Sequence, residues 1–313
     1  MTLGLRRHLA GLALALCCVT HPLQAQTVDD GIMLARHDLL VGNFFTYDSW
    51  DHYWEGALER TNGNIGTIST RTNQVVADFG VTDRLMLITS IPYVWTRASQ
   101  GVLHEMHGLQ DITFAAKYSF YQRPTGRRSA FRAIAAASGG VPLTDYTPDF
   151  QPLSIGFGSR RVAGRLTLNY QSNPGLYLNA SSGYTWRHRV TLDRPYYFTE
   201  DTLTFSDHVA MPSVFDYVIS AGYLHHGLMA TASFMQQKTK GGGDIRRQDI
   251  PFVSNRMDYS KVGAMLMYPP PGLRDLRLQV AYGYTLDGRN VGQSTSVTAG
   301  VQYVFHFAGR PTR

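Results

Sequence analysis

The alternating stretch at residues 296–307 constrains the fold of this chain more than any other feature. One face of it is apolar and consists of Val297, Ala299, Val301, Tyr303, Phe305 and Phe307. The opposite face is mostly polar and consists of Ser296, Thr298, Gly300, Gln302, Val304 and His306. A period of two predicts a β-strand. A strand this apolar would aggregate unless its apolar face met a core or lipid and its backbone were fully paired. A closed transmembrane β-barrel meets both requirements.

The first 25 residues are predicted to be an export signal rather than part of the fold. Arg6 and Arg7 form a basic start, and residues 9–19 form an apolar run too short to span a membrane. Ala25 provides the small residue expected just before a cut that would leave Gln26 first.

The two cysteines of the chain, Cys17 and Cys18, lie inside this apolar run. They are therefore expected to leave with the signal. A mature chain without cysteine has no disulfides, no thiolate metal sites and no cysteine nucleophile.

Composition favours a membrane β-protein and argues against a nucleic-acid partner. Hydrophobic residues make up 43% of the chain and aromatic residues 12%, yet no other stretch approaches the roughly 20 apolar residues of a membrane helix. The formal net charge of +6 includes the two charges of Arg6 and Arg7. The remaining basic residues are scattered, so nucleic-acid binding is not predicted.

About twelve alternating segments can be read along the chain, an even number that is typical of such barrels. They lie at residues 39–47, 73–81, 85–95, 111–120, 131–137, 162–170, 176–186, 214–224, 228–235, 258–268, 276–285 and 296–307. The sequence therefore predicts an all-β fold, a closed antiparallel transmembrane barrel of about 12 strands within residues 38–313.

The predicted connections alternate in length. Short ones lie at residues 82–84, 122–129, 172–175, 225–227 and 269–274. Longer ones lie at residues 48–65, 96–108, 139–159, 187–212 and 236–257, with a smaller one at 288–293. Because outer-membrane barrels have short periplasmic turns and long outer loops, both termini are predicted to lie in the periplasm.

The main alternative fold is a soluble β-sandwich or lipocalin-like barrel, which also has alternating strands. Against it, the apolar faces have aromatic residues at their strand ends, as in the interfacial belts of membrane barrels. These residues are Tyr93, Trp95, Tyr118, Phe120, Tyr170, Tyr184, Trp186, Tyr282 and Tyr284.

The faces opposite the apolar ones are predicted to line the lumen. The candidate lumen-lining residues are Asp111, Lys117, Arg132, Arg165, Asn169, Arg277, Gln279 and His306. The excess of arginine suggests a mildly positive interior that attracts anions or orients a polar solute. In the alternative interpretation, each of these charges is paired across the barrel with an acid such as Asp111 or Asp78.

Residues 26–37 precede the first strand and are predicted to form a periplasmic segment or a plug. Thr27 to His37 show no clear pairing pattern. Side chains leave only a narrow channel in a barrel of twelve strands, so an inward segment of this length would close it.

No catalytic, cofactor or metal site is predicted. His104 and His107 lie in a predicted outer loop with no third ligand nearby. The stretch from Tyr170 to Gly175 is similar to the His-x-Ser-Asn-Gly motif of outer-membrane phospholipases, but Tyr170 stands where the catalytic base would be.

Several motifs resemble one family of outer-membrane proteins. They are Phe79-Gly80-Val81-Thr82-Asp83-Arg84-Leu85, Ile91-Pro92-Tyr93, Gly108-Leu109-Gln110-Asp111-Ile112-Thr113-Phe114-Ala115-Ala116-Lys117-Tyr118, Pro124-Thr125-Gly126 and Pro152-Leu153-Ser154-Ile155-Gly156-Phe157-Gly158. Together they resemble the family named for the MetA-pathway of phenol degradation. The final strand, ending in Phe307, also resembles the terminal signature of bacterial outer-membrane barrels.

The resemblance implies an outer-membrane barrel and, loosely, passage of aromatic or other hydrophobic compounds. The expected function is a porin-like channel for small molecules, located in the bacterial outer membrane after export. The alternatives are a structural or surface-interaction barrel and, less favoured, an outer-membrane lipid hydrolase. Expected partners are the bilayer and its lipopolysaccharide, the barrel assembly machinery through the C-terminal strand, and an unidentified solute.

Overall fold

The computed structural model describes residues 27–125, 129–172, 175–199, 202–245 and 252–307. The predicted signal peptide, residues 1–25, lies outside these ranges. Within them the chain forms strands and turns, and no helix there is long and apolar enough to cross a membrane.

Nineteen strands are present in the described ranges. In chain order they are β1 (Asp38–Trp50), β2 (His52–Glu55), β3 (Leu58–Thr61), β4 (Ile68–Thr82), β5 (Leu85–Ala98), β6 (Met106–Leu109), β7 (Asp111–Pro124), β8 (Ala130–Pro142), β9 (Arg161–Gln171), β10 (Leu176–Arg187), β11 (Val190–Thr191), β12 (Tyr197–Thr199), β13 (Thr202–Thr204), β14 (His208–Val209), β15 (Ser213–His225), β16 (Leu228–Lys240), β17 (Asp258–Tyr268), β18 (Leu276–Arg289) and β19 (Thr295–His306).

Twelve long strands close into a single antiparallel barrel. Around the barrel they are β1, β4, β5, β7, β8, β9, β10, β15, β16, β17, β18 and β19. The barrel closes where β19 pairs with β1, with Phe305 opposite Leu39 and Val297 opposite Tyr47. Because the closed barrel has no open sheet edge, the backbone N–H and C=O groups of its strands form their hydrogen bonds within the wall. The predicted fold class and strand number are confirmed.

The predicted alternation of connection lengths is present. Two residues separate β4 from β5 and two separate β15 from β16, whereas β10 and β15 lie 25 residues apart. The long connections contain strands that the alternating pattern did not reveal: the hairpin β2–β3 and the pairs β11–β14 and β12–β13. The ends of β1 and β19 near Asp38 and His306 lie on the short-turn side.

Each barrel strand presents alternate residues to the outside and the inside. In β9, Leu166 is 50% exposed and its neighbour Thr167 only 1%. The exposed apolar residues face the surroundings of the barrel, as a lipid-facing wall requires. Aromatic residues lie near both ends of this wall, with Trp95 and Trp186 towards the long loops and Tyr118 and Tyr170 towards the short turns.

One strand of the wall is interrupted by a bulge at Gln110. Both β6 and β7 pair with β5, and Gln110 between them donates its N–H to the carbonyl of Pro92 at 3.0 Å. The two short strands are therefore one long strand with an extra residue.

Candidate functional site

The interior of the barrel is lined mainly by polar side chains. Four of the predicted lumen residues, Asp111, Lys117, Asn169 and Gln279, are at most 5% exposed, while the apolar residues beside them on the same strands face outward. Arg132, Arg165 and Arg277 are half-buried on the same inward parity. The structure distributes these residues along the lumen and does not gather them in one cluster.

His306 differs from the other predicted lumen residues. It lies at the short-turn end of β19, where Nδ1 is 2.6 Å from Asp38 Oδ1 and Nε2 is 3.1 Å from Asp275 Oδ1. Its side chain is one third exposed. The residue therefore belongs to the rim and connects the two strands that close the barrel with the last short turn.

Two inward arginines are paired with acids. Arg165 bonds to Asp216 on β15 and donates to Ser181 Oγ at 3.1 Å. Arg161 bonds to Asp111 at the end of the lumen next to the long loops. Asp216 and Arg161 were not among the predicted lumen residues, although alternation along their strands would have placed both inside. Arg165 therefore fits the alternative interpretation, in which an inward charge is paired with an acid.

The loop after β8 folds back over the long-loop end of the lumen. Tyr146 donates its hydroxyl to Asp111 Oδ1 at 2.6 Å, and Leu153 accepts a hydrogen bond from Thr96 Oγ1 at 2.5 Å. Burial, together with the bond to Asp111, raises the pKa of the Tyr146 phenol, which stays protonated. Leu153 and Ile155 are buried, so this loop narrows the long-loop end of the lumen.

Residues 27–37 lie inside the half of the barrel next to the short turns. We call them the N-terminal segment. The fully buried ammonium of Lys117 donates to the backbone carbonyl of Thr27 at 2.8 Å and to Asp30 Oδ1 at 2.7 Å. Asn179 Nδ2, on β10 three strands further around the barrel, donates to the carbonyl of Asp29 at 2.7 Å.

The second half of the N-terminal segment packs against apolar residues of the wall. Leu34 is 5% exposed and belongs to a cluster on the strands around the barrel closure. The members of this cluster are Leu40, Phe44, Val76, Met86, Met229, Met265, Met267, Ala281 and Val304. The polar lumen therefore contains one apolar patch, and the N-terminal segment covers part of it.

The motifs that resemble the phenol-degradation family contact the N-terminal segment. His37 donates its N–H to the carbonyl of Gly80 at 2.7 Å, and Arg36 donates its N–H to Asp83 Oδ1 at 3.1 Å. A Cβ at Gly80 would collide with the carbonyl oxygen of Ala35, so only glycine allows the two backbones to approach. The sequence alone did not show that Gly80, Asp83 and Lys117 share this role.

Asp78 is a buried acid near the same contacts. It is 1% exposed, and among the described residues neither of its carboxylate oxygens has a hydrogen-bond partner. It lies within electrostatic range of Asp30 and Lys117. Lys117 is therefore a cation close to two acids, Asp30 and Asp78, and it binds Asp30 directly.

The outer loops are joined to one another above the barrel. Asp244 accepts hydrogen bonds from Arg289 Nε at 2.7 Å and from Asn290 Nδ2 at 2.8 Å. The Arg289 guanidinium lowers the pKa of the Asp244 carboxyl. Asn290 Oδ1 in turn accepts the N–H groups of Gly56 and Ile245, which connects three loops.

Of the histidine pair that was predicted to lie in an outer loop, His104 lies in the loop after β5, but His107 lies in β6. His107 Nδ1 is 2.8 Å from the hydroxyl of Tyr93. Within the described residues, no group of three or more potential ligands could hold a metal ion.

A family model agrees with the resemblance that the motifs suggested. Residues 57–300 match the model described as "Putative MetA-pathway of phenol degradation". The chain belongs to that family. No curated protein matches the sequence.

Solved structures of outer-membrane proteins share the fold. An outer membrane channel from Pseudomonas putida F1 superposes with a TM-score of 0.68 at 13% identity, over 89% of this chain and 100% of the other. The NanC porin gives a TM-score of 0.44 at 9% identity, over 83% of this chain and 98% of the other. The TodX monoaromatic hydrocarbon channel gives 0.41 at 11% identity, over 88% and 91%. The first likeness establishes an outer-membrane barrel fold, and the other two are too loose to support an argument.

Proposed function

We propose that this protein is a passive channel of the bacterial outer membrane for small molecules, including aromatic or otherwise hydrophobic ones. The observation that supports it most is the polar, charged interior of a barrel whose outer wall is apolar. Burying ions away from water costs several kcal/mol each. Inward charges such as Lys117, Arg132 and Arg165 are therefore favoured only where water or polar partners fill the lumen. The family's description supports the solute class.

In this proposal the N-terminal segment narrows the periplasmic end of the passage. Its bond to Asn179 on β10 and the packing of Leu34 in the cluster that contains Leu40 of β1 come from strands half a circuit apart in the barrel, so the segment lies across the lumen. At the other end, the loop that contains Leu153 narrows the outer mouth. Transport then requires a solute small enough to pass these contacts or a movement of the segment.

Swelling of liposomes that contain the purified protein tests the passage. We expect swelling with small neutral solutes and a rate that falls steeply as solute size increases. Empty liposomes and liposomes with unfolded protein serve as controls. A structural or surface-interaction barrel would give no swelling above these controls, and that result would reject the channel.

Cell fractionation tests the location. The protein is expected in outer-membrane fractions, with a mobility on unboiled gels that differs from that of the boiled sample. Recovery as a soluble periplasmic protein would contradict the proposal.

A further inference from the structure

A cavity of about 230 Å³ lies between the N-terminal segment and the barrel wall. At about 30 Å³ per water it has room for about eight waters, or for one small organic molecule. Its lining residues come from the segment and from six neighbouring strands, β8, β9, β10, β15, β16 and β17. Nothing in the channel proposal assigns a role to this cavity.

The lining contains residues of two chemical kinds. Its apolar residues are Ile32, Met33, Leu224, Met229 and Met265. Its polar residues include Arg132, Asn169, Gln171, Ser220 and Thr231. Methionine is flexible and polarisable, and its sulfur makes favourable contacts with aromatic rings. A ligand with a compact apolar body and one polar end can contact both kinds.

Arg132 supplies the positive charge of the cavity lining. Lys117, Arg161 and Arg165 are each bonded to a carboxylate, but Arg132 forms no salt bridge within the described part of the chain. Its contact is one long hydrogen bond from Nη1 to the carbonyl of Gly31 at 3.4 Å. A guanidinium has five N–H donors in a planar fork that binds a carboxylate with two parallel bonds.

Asp30, the acidic residue of the cavity lining, does not pair with Arg132. Asp30 Oδ1 accepts from Lys117 at 2.7 Å and from the N–H of Ile32 at 2.7 Å. The Asp30 carboxylate is therefore bonded to Lys117 rather than to Arg132. Asp78 and Asp29 also lie near Lys117 or Asp30, but neither lines the cavity.

We infer that this cavity is a solute site for a small organic monocarboxylate with a compact apolar body. The carboxylate would bind the guanidinium of Arg132, and the apolar body would contact Met33, Met229 and Met265. The inference rests on the proposed channel for its physiological meaning, since it names a class of solute that the channel would admit.

Calorimetric titration of the purified, folded full-length protein with benzoate and benzamide tests the site. The two molecules have the same shape, but only benzoate is charged. We expect benzoate to bind at least tenfold more tightly than benzamide. Arg132→Met should weaken benzoate binding at least tenfold, and Arg132→Lys should weaken it less. Arg84→Met, the same change at an exposed periplasmic turn, should leave it unchanged.

A second variant keeps the test decisive if Arg132→Met fails to fold. Ser220→Met fills the cavity from β15 and leaves Arg132 in place, and it should abolish benzoate binding. Gel mobility before boiling reports folding of each variant. Equal binding of benzoate and benzamide, no binding of benzoate, or unchanged binding after either lumen substitution would overturn the inference.

Conductance of the same preparations separates this inference from the channel proposal. Protein that conducts ions but does not bind benzoate would reject the site and keep the channel. Protein that binds benzoate in the predicted way but never conducts would reject the channel and keep the site.

Discussion

Lys117 shows how a single inward side chain can hold the N-terminal segment in place. Its ammonium is fully buried and its bonded partners, the carbonyl of Thr27 and the carboxylate of Asp30, belong to the N-terminal segment. Removing one partner of a buried ion pair leaves an uncompensated charge, at a cost of about 3–5 kcal/mol. The segment should therefore depend on this lysine for its position.

Lys117→Met is expected to release the N-terminal segment. A cysteine introduced by Met33→Cys should react with a water-soluble maleimide at least tenfold faster in the Lys117→Met background, because each 1.4 kcal/mol corresponds to a factor of ten. Val102→Cys, in a loop position that is 90% exposed, should react fast in both backgrounds. Equal rates for Met33→Cys in both backgrounds would show that Lys117 does not hold the segment.

Leu166 represents the outward residues of the wall. It lies in the middle of β9 and is half exposed. Leu166→Arg should reduce the free energy of folding into lipid by about 2–4 kcal/mol, since a cation near the midplane must leave water. Leu166→Met, which stays apolar, should cost little. Urea titrations in lipid vesicles measure both. Equal stabilities of the two variants would mean that Leu166 does not face lipid.

Among the larger elements, the outer loops are held by the contacts of Asp244 with Arg289 and Asn290. Because Arg289 lowers the pKa of Asp244 below its usual 3.8, this contribution is fully present above pH 3.8 and is lost as pH falls through the lowered folded value. Hydrogen-exchange protection at Ile245, corrected for intrinsic rates, should therefore persist at pH 5 and drop below pH 3. Asp244→Asn should lower it already at pH 7. Protection that does not change with pH or with the substitution would exclude this role.

The barrel strands could be predicted from the sequence, but the contacts of the loops and the N-terminal segment could not. Alternation reports local burial on two faces, so it located twelve strands and placed Lys117 and Asn169 inside. The docking of the N-terminal segment depends on partners far apart in sequence, such as Thr27 with Lys117 or Arg36 with Asp83. No periodicity marks such contacts. The pairing of Arg165 with Asp216 also requires knowing that β9 and β15 both flank β10.

At the scale of the whole molecule, the barrel combines an apolar outer wall, a polar lumen and constrictions at both ends. The N-terminal segment adds Asp29 and Asp30 to a lumen whose wall contains Lys117, Arg132 and Arg165. It thereby offsets positive charge while it narrows the lumen. The expected preference of the lumen for anions should consequently be weak with the segment in place and stronger without it.

Single-channel recording in planar bilayers tests this account most directly. The unmodified protein is compared with a variant that lacks residues 27–33 and keeps the rest of the chain. We predict a small conductance for the unmodified protein, a several-fold larger one for the variant, and a shift of the variant towards anions that high salt reduces by screening. Identical conductance and selectivity of the two proteins, or no conductance from either, would contradict a polar passage narrowed by the N-terminal segment.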